Sequence, residues 1–295
     1  MQRRHLLSLA GASWLLPACG GGANADPPVS PPVPEPPTLV PSAPASLLDL
    51  THVTLTLPVK ADGTTGGAPA RTLKTAELLP SATGARGYES EFFRAVFVDG
   101  TGISPDAAVM FWCPVTGALS STTSDSPRTE FRHQRQSGTN DGWTTADGSP
   151  VTMTVECRLT QLPPRRGSVV VAQVHGFRMT DASGALVNAP PLLLVIVEPV
   201  AAGGYQVRAK LRRSADDSRT GYDNHVLMKF ASLDTWLTLQ VWVRDMKVWI
   251  NGADFAIDPT WRDIGQYFKA GVYLDETGTD AMQGGRLLMR TLTFL

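Results

Sequence analysis

The sequence predicts an all-β domain, a two-sheet sandwich or jelly roll. Three observations carry this expectation: short β-branched and aromatic runs recur from about Ser46 to the C-terminus, turn signals punctuate them, and helix signals are scarce. Val53-Thr54-Leu55-Thr56-Leu57 alternates apolar and hydroxyl side chains and stops at Pro58. Phe92 to Val98 runs into the turn pair Asp99-Gly100. Val109 to Cys113 and Met153 to Cys157 read as strands, as do Ser168 to His175, Leu192 to Glu198, Tyr205 to Leu211, Trp236 to Trp249 and Arg286 to Phe294. Asn251-Gly252, directly after Lys247-Val248-Trp249-Ile250, marks a hairpin. Ala76 to Leu79 and Thr260 to Ile264 each suffice for one helical turn, the second capped by Asp258 or Thr260. No internal repeat or interior linker divides the run, so residues 46–295 read as one domain. Gln134 to Ser149 and Arg178 to Pro190 read as long loops.

Composition narrows the function. The 295 residues are 42% hydrophobic and 18% charged, enough for a large core. A formal net charge of −1 supplies no global field for nucleic acid or an anionic membrane, so any anion site must be a local cluster of Arg, Lys and His. Mean hydropathy is −0.06, and no apolar run approaches the roughly 20 residues that span a bilayer. Met1-Gln2-Arg3-Arg4-His5 and the apolar stretch Leu6 to Leu16 form an export signal. Leu16-Pro17-Ala18-Cys19 resembles the lipobox of bacterial lipoproteins. That resemblance implies a signal peptide over residues 1–18, a lipidated Cys19, and, with Gly20 rather than Asp in the next place, the outer membrane. The alternative is an ordinary signal peptide cut near Ala18. Arg3-Arg4-His5-Leu6-Leu7 is also similar to a twin-arginine export signal. Residues 19–45 are Gly-rich and then Pro-rich, a tether of extended geometry or a disordered tail. The expected location is exported and lipid-anchored, on the periplasmic or cell-surface face. Cys113 and Cys157 either pair or remain two buried free thiols, and neither has a neighbouring His to activate it.

Three of the strand segments crowd polar groups onto one face. Side chains alternate along a strand, so Arg128, Glu130 and Arg132 share a face, as do Gln173 and His175, and Tyr267, Lys269 and Tyr273. The opposite faces carry Phe131, Val174, Phe268, Ala270 and Val272, which suit a core. A sheet face of Arg, Gln, His, Lys and Tyr suits an anionic substrate. Both presumptive loops leave directly after such a strand and read as lids, with plain surface excursions as the alternative.

Arg128-Thr129-Glu130-Phe131-Arg132, Gln173-Val174-His175 and Tyr267-Phe268-Lys269-Ala270-Gly271-Val272-Tyr273, in that order, resemble the alginate lyases of polysaccharide lyase family seven. Leu55-Thr56-Leu57-Pro58, Phe111 to Gly117 and Thr160-Gln161-Leu162-Pro163 extend the likeness over roughly residues 46–295. The resemblance implies a β-jelly roll, a concanavalin A-like two-sheet sandwich with a concave substrate groove. It also implies cleavage of a 1,4-linked uronic-acid polymer by β-elimination, with alginate as the polysaccharide partner. By carry-over, Arg128 and Gln173 are donors to the substrate carboxylate, where charge develops as the C5 proton leaves. Tyr273 is the acid, and for mannuronate, whose C5 hydrogen and leaving group are syn, it acts as base and acid in turn. For guluronate, where they are anti, His175 is the base. Glu130, Arg132, Lys269 and Tyr267 line the subsites, although a structural ion pair explains Glu130 equally well. Arg208, Lys210 and Arg212 alternate on another strand and reach outer subsites or form a solvated face. His133 and Arg135 are expected at the surface, and His52 and His225 are structural.

Two departures stand out. Asp275 occupies a place where many family members carry Gln or Asn, and Glu276 follows, so two acids lie near a polyanion site. Val174 in the Gln-x-His segment leans slightly toward poly-mannuronate. No metal and no other cofactor is implied, nucleic acid is not a partner, and nothing demands an oligomer, so a monomer is expected. The competing classes are a lyase for another polyuronate such as glucuronan, a non-catalytic carbohydrate-binding jelly roll, and a glycoside hydrolase. A binding module needs no aligned Arg, Gln, His and Tyr. A hydrolase needs two carboxylates about 5–10 Å apart, and Glu89-Ser90-Glu91 lacks the required pattern.

Overall fold

In a computed structural model, residues 42–98, 106–135, 142–146, 151–180, 183–215 and 221–295 are described. The expected signal peptide, the Cys19 lipobox and most of the tether lie outside them. Among the described residues, two large antiparallel sheets form the sandwich, beside a small two-stranded one. The eight-stranded sheet runs, in spatial order, β12 (Tyr222–Phe230), β11 (Tyr205–Arg212), β10 (Pro191–Pro199), β7 (Val169–Gly176), β16 (Gln266–Leu274), β5 (Arg128–His133), β1 (Val53–Thr56) and β2 (Thr72–Leu73). The seven-stranded sheet runs β15 (Ala253–Ala256), β14 (Lys247–Ile250), β13 (Leu237–Arg244), β6 (Val151–Gln161), β17 (Gly284–Phe294), β4 (Ala107–Pro114) and β3 (Phe93–Phe97). The jelly-roll expectation holds.

The core lies between the sheets and follows from period-two alternation. Phe131, Val174, Phe268, Ala270 and Val272 are fully buried, as the strand pattern requires. Phe93 and Phe111 of one sheet meet Phe131 of the other in edge-to-face contacts, with ring centroids 5.1–5.5 Å apart. Such geometry adds about 0.5–1.5 kcal/mol per pair beyond area burial. Thr129 Oγ1 donates to the Trp112 carbonyl at 2.6 Å and ties the sheets together just behind the polar face. Cys113 and Cys157 are buried free thiols; burial pushes the Cys157 thiol up to about 12 and raises that of Cys113 further.

Several expectations need correction. The run Trp236 to Trp249 is two strands, β13 and β14, joined at Asp245 and Met246, both of positive φ (49° and 57°). Two positive-φ residues make a tight hairpin turn without the Asn-Gly signature that marks it in sequence. The edge strand β12 has no clean alternation and escapes sequence reading. Arg178 to Pro190 is not a plain loop: β8 (Met179–Thr180) and β9 (Leu186–Val187) pair within it. A short helix, α1 (Pro44–Leu47), precedes the first strand and uses Pro44 at its first turn, where a missing N–H costs nothing. The second short helix, α2 (Thr75–Leu78), falls where expected, and Asp258 caps the 3₁₀ turn Pro259–Trp261.

Candidate active site

The three polar segments, distant in sequence, are neighbours in space, because β7, β16 and β5 are consecutive in the eight-stranded sheet. The register sets Gln173 opposite Lys269 and His175 opposite Tyr267 across β7 and β16. It sets Lys269 opposite Arg132, and Tyr273 opposite Arg128, across β16 and β5. Directly opposed residues share a face, so sheet pairing alone gathers the cluster. Gly271 makes it possible. Its φ is +143°, and a Cβ there would sit 2.5 Å from the Thr129 carbonyl oxygen. Beside it the pairing of β16 with β7 shifts register between Ala270 and Tyr273.

Glu130 is the hub. Its side chain is 0% exposed. Gln173 Nε2 donates to Oε1, Lys269 Nζ pairs with Oε2, and Arg128 Nη1 lies 3.5 Å from Oε2. Both carboxylate oxygens are therefore committed beneath the surface. These buried partners are those of a structural ion-pair cluster, the alternative the sequence offers for Glu130. Arg128 also donates to Ser124 Oγ at 3.0 Å, and its guanidinium lies 4.1 Å from the centre of the Tyr273 ring. Arg132 covers Tyr267 at 4.0 Å and Phe177 at 5.3 Å, and Tyr267 stacks on His175 at 5.2 Å. Arg128, Arg132, His175, Tyr267, Lys269 and Tyr273 all line a groove of about 850 Å³. Gln173, 2% exposed, lies just under its floor.

The electrostatics assign protonation states. Burial, then the nearby Lys269, Arg128 and Arg132 cations, hold the His175 imidazole down to about 3, with the bond to the Gly176 carbonyl acting the other way. That carbonyl lies 2.7 Å from Nδ1 and can only accept, so Nδ1 carries the proton and Nε2 keeps its lone pair. Burial raises the Tyr273 phenol, opposed by Arg128, so it is protonated at neutral pH. Burial, and then Arg128, bring Lys269 down to about 8 against the pull of Glu130. The face thus carries a neutral imidazole, a protonated phenol and cations outnumbering their one buried carboxylate.

The groove runs across the strands, from His175 past β16 and β5 to Thr54 and Thr56 of β1 and Thr72 of β2. Gln134, Phe177, Asn188 and Pro190 border it, so both chain excursions flank the groove. Residues 136–141 and 147–150 of the first lie outside the described residues, but Trp143 is pinned by paired backbone bonds to Gln266. Ser124, Phe177 and the threonines of β1 and β2 also line the groove, and no sequence motif marks them. Only the alternation of Thr54 and Thr56 with buried neighbours hinted at them.

Other expected residues fall elsewhere. His133 is not a surface residue: β5 extends through it, and its ring stacks on Phe294 at 4.1 Å. It lines a separate cavity of about 510 Å³ with His52 and Trp143, which includes neither His175 nor Tyr273. The two acids after Tyr273 are both neutralised. Asp275 pairs with Arg166 at 2.7 Å, and Glu276, its side chain 1% exposed, accepts the backbone N–H groups of Arg165 and Arg166. Arg208 forms a two-pronged bond to Glu198, at 2.7 and 2.6 Å.

A family model described as "Alginate lyase" matches residues 48–294. The alginate lyase PA1167 from Pseudomonas aeruginosa is similar in structure, with a TM-score of 0.67 at 26% identity over 84% of this chain and 99% of that one. Alginate lyase A1-II′, described as a member of polysaccharide lyase family-7, gives 0.64 at 26% identity over 86% and 98%. A Tyr-to-Phe variant of A1-II′ in complex with product gives 0.61 at 25% identity over 86% and 99%. No curated protein matches the chain.

Proposed function

The chain belongs to the alginate lyase family, and from that premise we propose how its groove does the chemistry. The protein is a polysaccharide lyase that cleaves a 1,4-linked polyuronate, alginate, by β-elimination and leaves an unsaturated sugar at the new non-reducing end. One observation carries the assignment of roles. A buried glutamate holds Gln173, Lys269 and Arg128 together beside a neutral His175 and a protonated Tyr273.

The C5 proton is acidified by donors aimed at the adjoining carboxylate. Arg128 presents its guanidinium in the groove. Gln173 gives one amide N–H to Glu130 and keeps its second for the substrate. Stabilising the enolate-like charge in a partly desolvated groove is the largest contribution to rate. The base removes the C5 proton, the electron pair forms the C4–C5 double bond, and the C4–O4 bond breaks as the acid protonates O4. Tyr273, protonated and beneath Arg128, is the acid. Where hydrogen and leaving group are syn, as in mannuronate, the same phenol serves in turn as base, helped by Arg128. Where they are anti, as in guluronate, Nε2 of His175 is the base. The tautomer held by Gly176 supports this second geometry. Val174 is buried away from the groove, so the slight lean to poly-mannuronate gains nothing from contact there.

The purified protein is incubated with poly-mannuronate, poly-guluronate, alginate and glucuronan, and the ultraviolet absorbance of the unsaturated product is followed. A rise on alginate is expected; a folded protein inert on every uronan would overturn the reading. We also propose that Cys19 is lipidated and anchors the enzyme at the outer membrane through the Gly/Pro-rich tether. Cys19→Ser is expected to release the protein from membranes, and unchanged membrane association rules the anchor out.

A further inference from the structure

The row of side chains that crosses the catalytic cluster does not stop at β7. Thr54, Arg132, Lys269, Gln173, Leu194 and Lys210 stand opposite one another, pair by pair, across β1, β5, β16, β7, β10 and β11. Opposed residues share a face, so Lys210 points to the same side of the sheet as Gln173. With strands about 4.8 Å apart, two spacings put the Lys210 backbone roughly 10 Å from that of Gln173. One spacing is close to the length of a 1,4-linked pyranose unit, and the groove already runs across the strands. The groove lining ends at β7 with His175 and Gly176, and a polymer chain extended beyond it in the same direction would meet Leu194, half-buried and apolar, and then Lys210.

Lys210 differs from the two cations beside it. Arg208 is neutralised by Glu198 and held by Asn224. Arg212 donates to the Pro191 carbonyl and to the Tyr222 hydroxyl, with its guanidinium 4.6 Å from the centre of the Tyr222 ring. Among the described residues no carboxylate lies within ion-pair distance of Lys210 Nζ, which sits 4.8 Å from the centre of that same ring. The Tyr222 ring thus lies against both the Lys210 ammonium and the Arg212 guanidinium and helps to hold Lys210 in place. We propose that Lys210 forms an outer subsite that takes the carboxylate of a uronic-acid unit about two sugars from the one held at Gln173. This rests on the polyuronate lyase reading and extends it to the length of chain the enzyme grips. Burial, and then the Arg208 charge, disfavour the Lys210 ammonium, with Asp275 and Glu198 acting the other way from beyond ion-pair distance, so an anionic ligand in direct contact would stabilise it.

The test compares the full-length wild type with Lys210→Ala, Lys210→Gln and Lys210→Arg on alginate oligomers from trimer to octamer. Thermal melts confirm folding. A half-exposed charge contact predicts that KM for the octamer rises roughly fivefold in the Ala and Gln variants while kcat holds. The rise shrinks toward the trimer, the Arg variant restores most of it, and about 1 M salt abolishes it. A KM ratio that is the same at every length, whether one or greater, overturns the subsite. A wild type inert on all oligomers instead overturns the lyase reading on which it rests.

Discussion

Glu130 on β5 and Glu198 on β10 each gather basic side chains on the same sheet, but under different conditions. Glu198 is 18% exposed in its side chain and gives both oxygens to the one guanidinium of Arg208. Charge meets charge, and nothing is left over. Arg208 and the Gln206 amide accordingly hold the Glu198 carboxyl below its usual range. Glu130 is fully buried and divides two oxygens among Gln173, Lys269 and Arg128. Each of these donors keeps N–H groups to spare. A single carboxylate orients the cluster without discharging it, and Arg132 adds a further cation at the groove. The lesson is stoichiometric: a structural ion pair balances its charges, whereas a site for a polyanion leaves positive charge in excess and holds it still.

Removing each hub tests this contrast most directly. Glu130→Gln strands buried cations and is expected to cost about 3–5 kcal/mol of stability with a large fall in kcat, against about 1 kcal/mol or less for Glu198→Gln. Equal costs in denaturant melts would erase the distinction. Tyr273→Phe leaves the ion pairs intact but removes the acid, so kcat falls about 10²–10⁴-fold with oligosaccharide binding retained; lost binding would make Tyr273 a subsite residue. Gly271→Ala disturbs the geometry rather than the charges around Glu130. Its Cβ meets the Thr129 carbonyl, and about 1–3 kcal/mol is expected, with kcat reduced as Tyr273 shifts.

The pH dependence probes how burial and the neighbouring cations together act on His175. His175 stays neutral in the native state down to about pH 3, while in the unfolded chain it takes its proton near ~6.5. Between those values the unfolded state binds more protons, so stability falls as pH drops, by up to about 1.4 kcal/mol per pH unit. His175→Gln is expected to flatten that slope in pH-dependent melts, and an unchanged slope would mean that burial and the cations do not hold His175 neutral in the folded state. The smallest effect is at the rim. Asp275→Asn breaks an exposed pair and changes stability by no more than about 0.5 kcal/mol, with activity within about twofold.

Much of the site was legible before the fold. Alternation placed Arg128, Glu130 and Arg132, then Gln173 and His175, then Lys269 and Tyr273, on polar faces, because a strand's period is two whatever lies beside it. Alternation could not show that Glu130 sits below the surface and Arg132 at it, since both are simply on the same side. Asp275 and Glu276 looked like a conflict with a polyanion. Arg166 and the turn Arg165–Arg166 that neutralise them are about 110 residues away in the chain. Ser124 and Phe177, which touch Arg128 and Arg132, carry no pattern of their own.

By itself the sequence determined the class of fold, the faces of the strands and the kinds of side chain available, because these depend on local backbone period and on residue chemistry. Only the tertiary structure decided which strands are neighbours, which register they keep, and how deeply each charge is buried. Those depend on pairings between residues far apart in the chain. They alone make one glutamate a hub for substrate-facing donors and another the closed half of an ion pair.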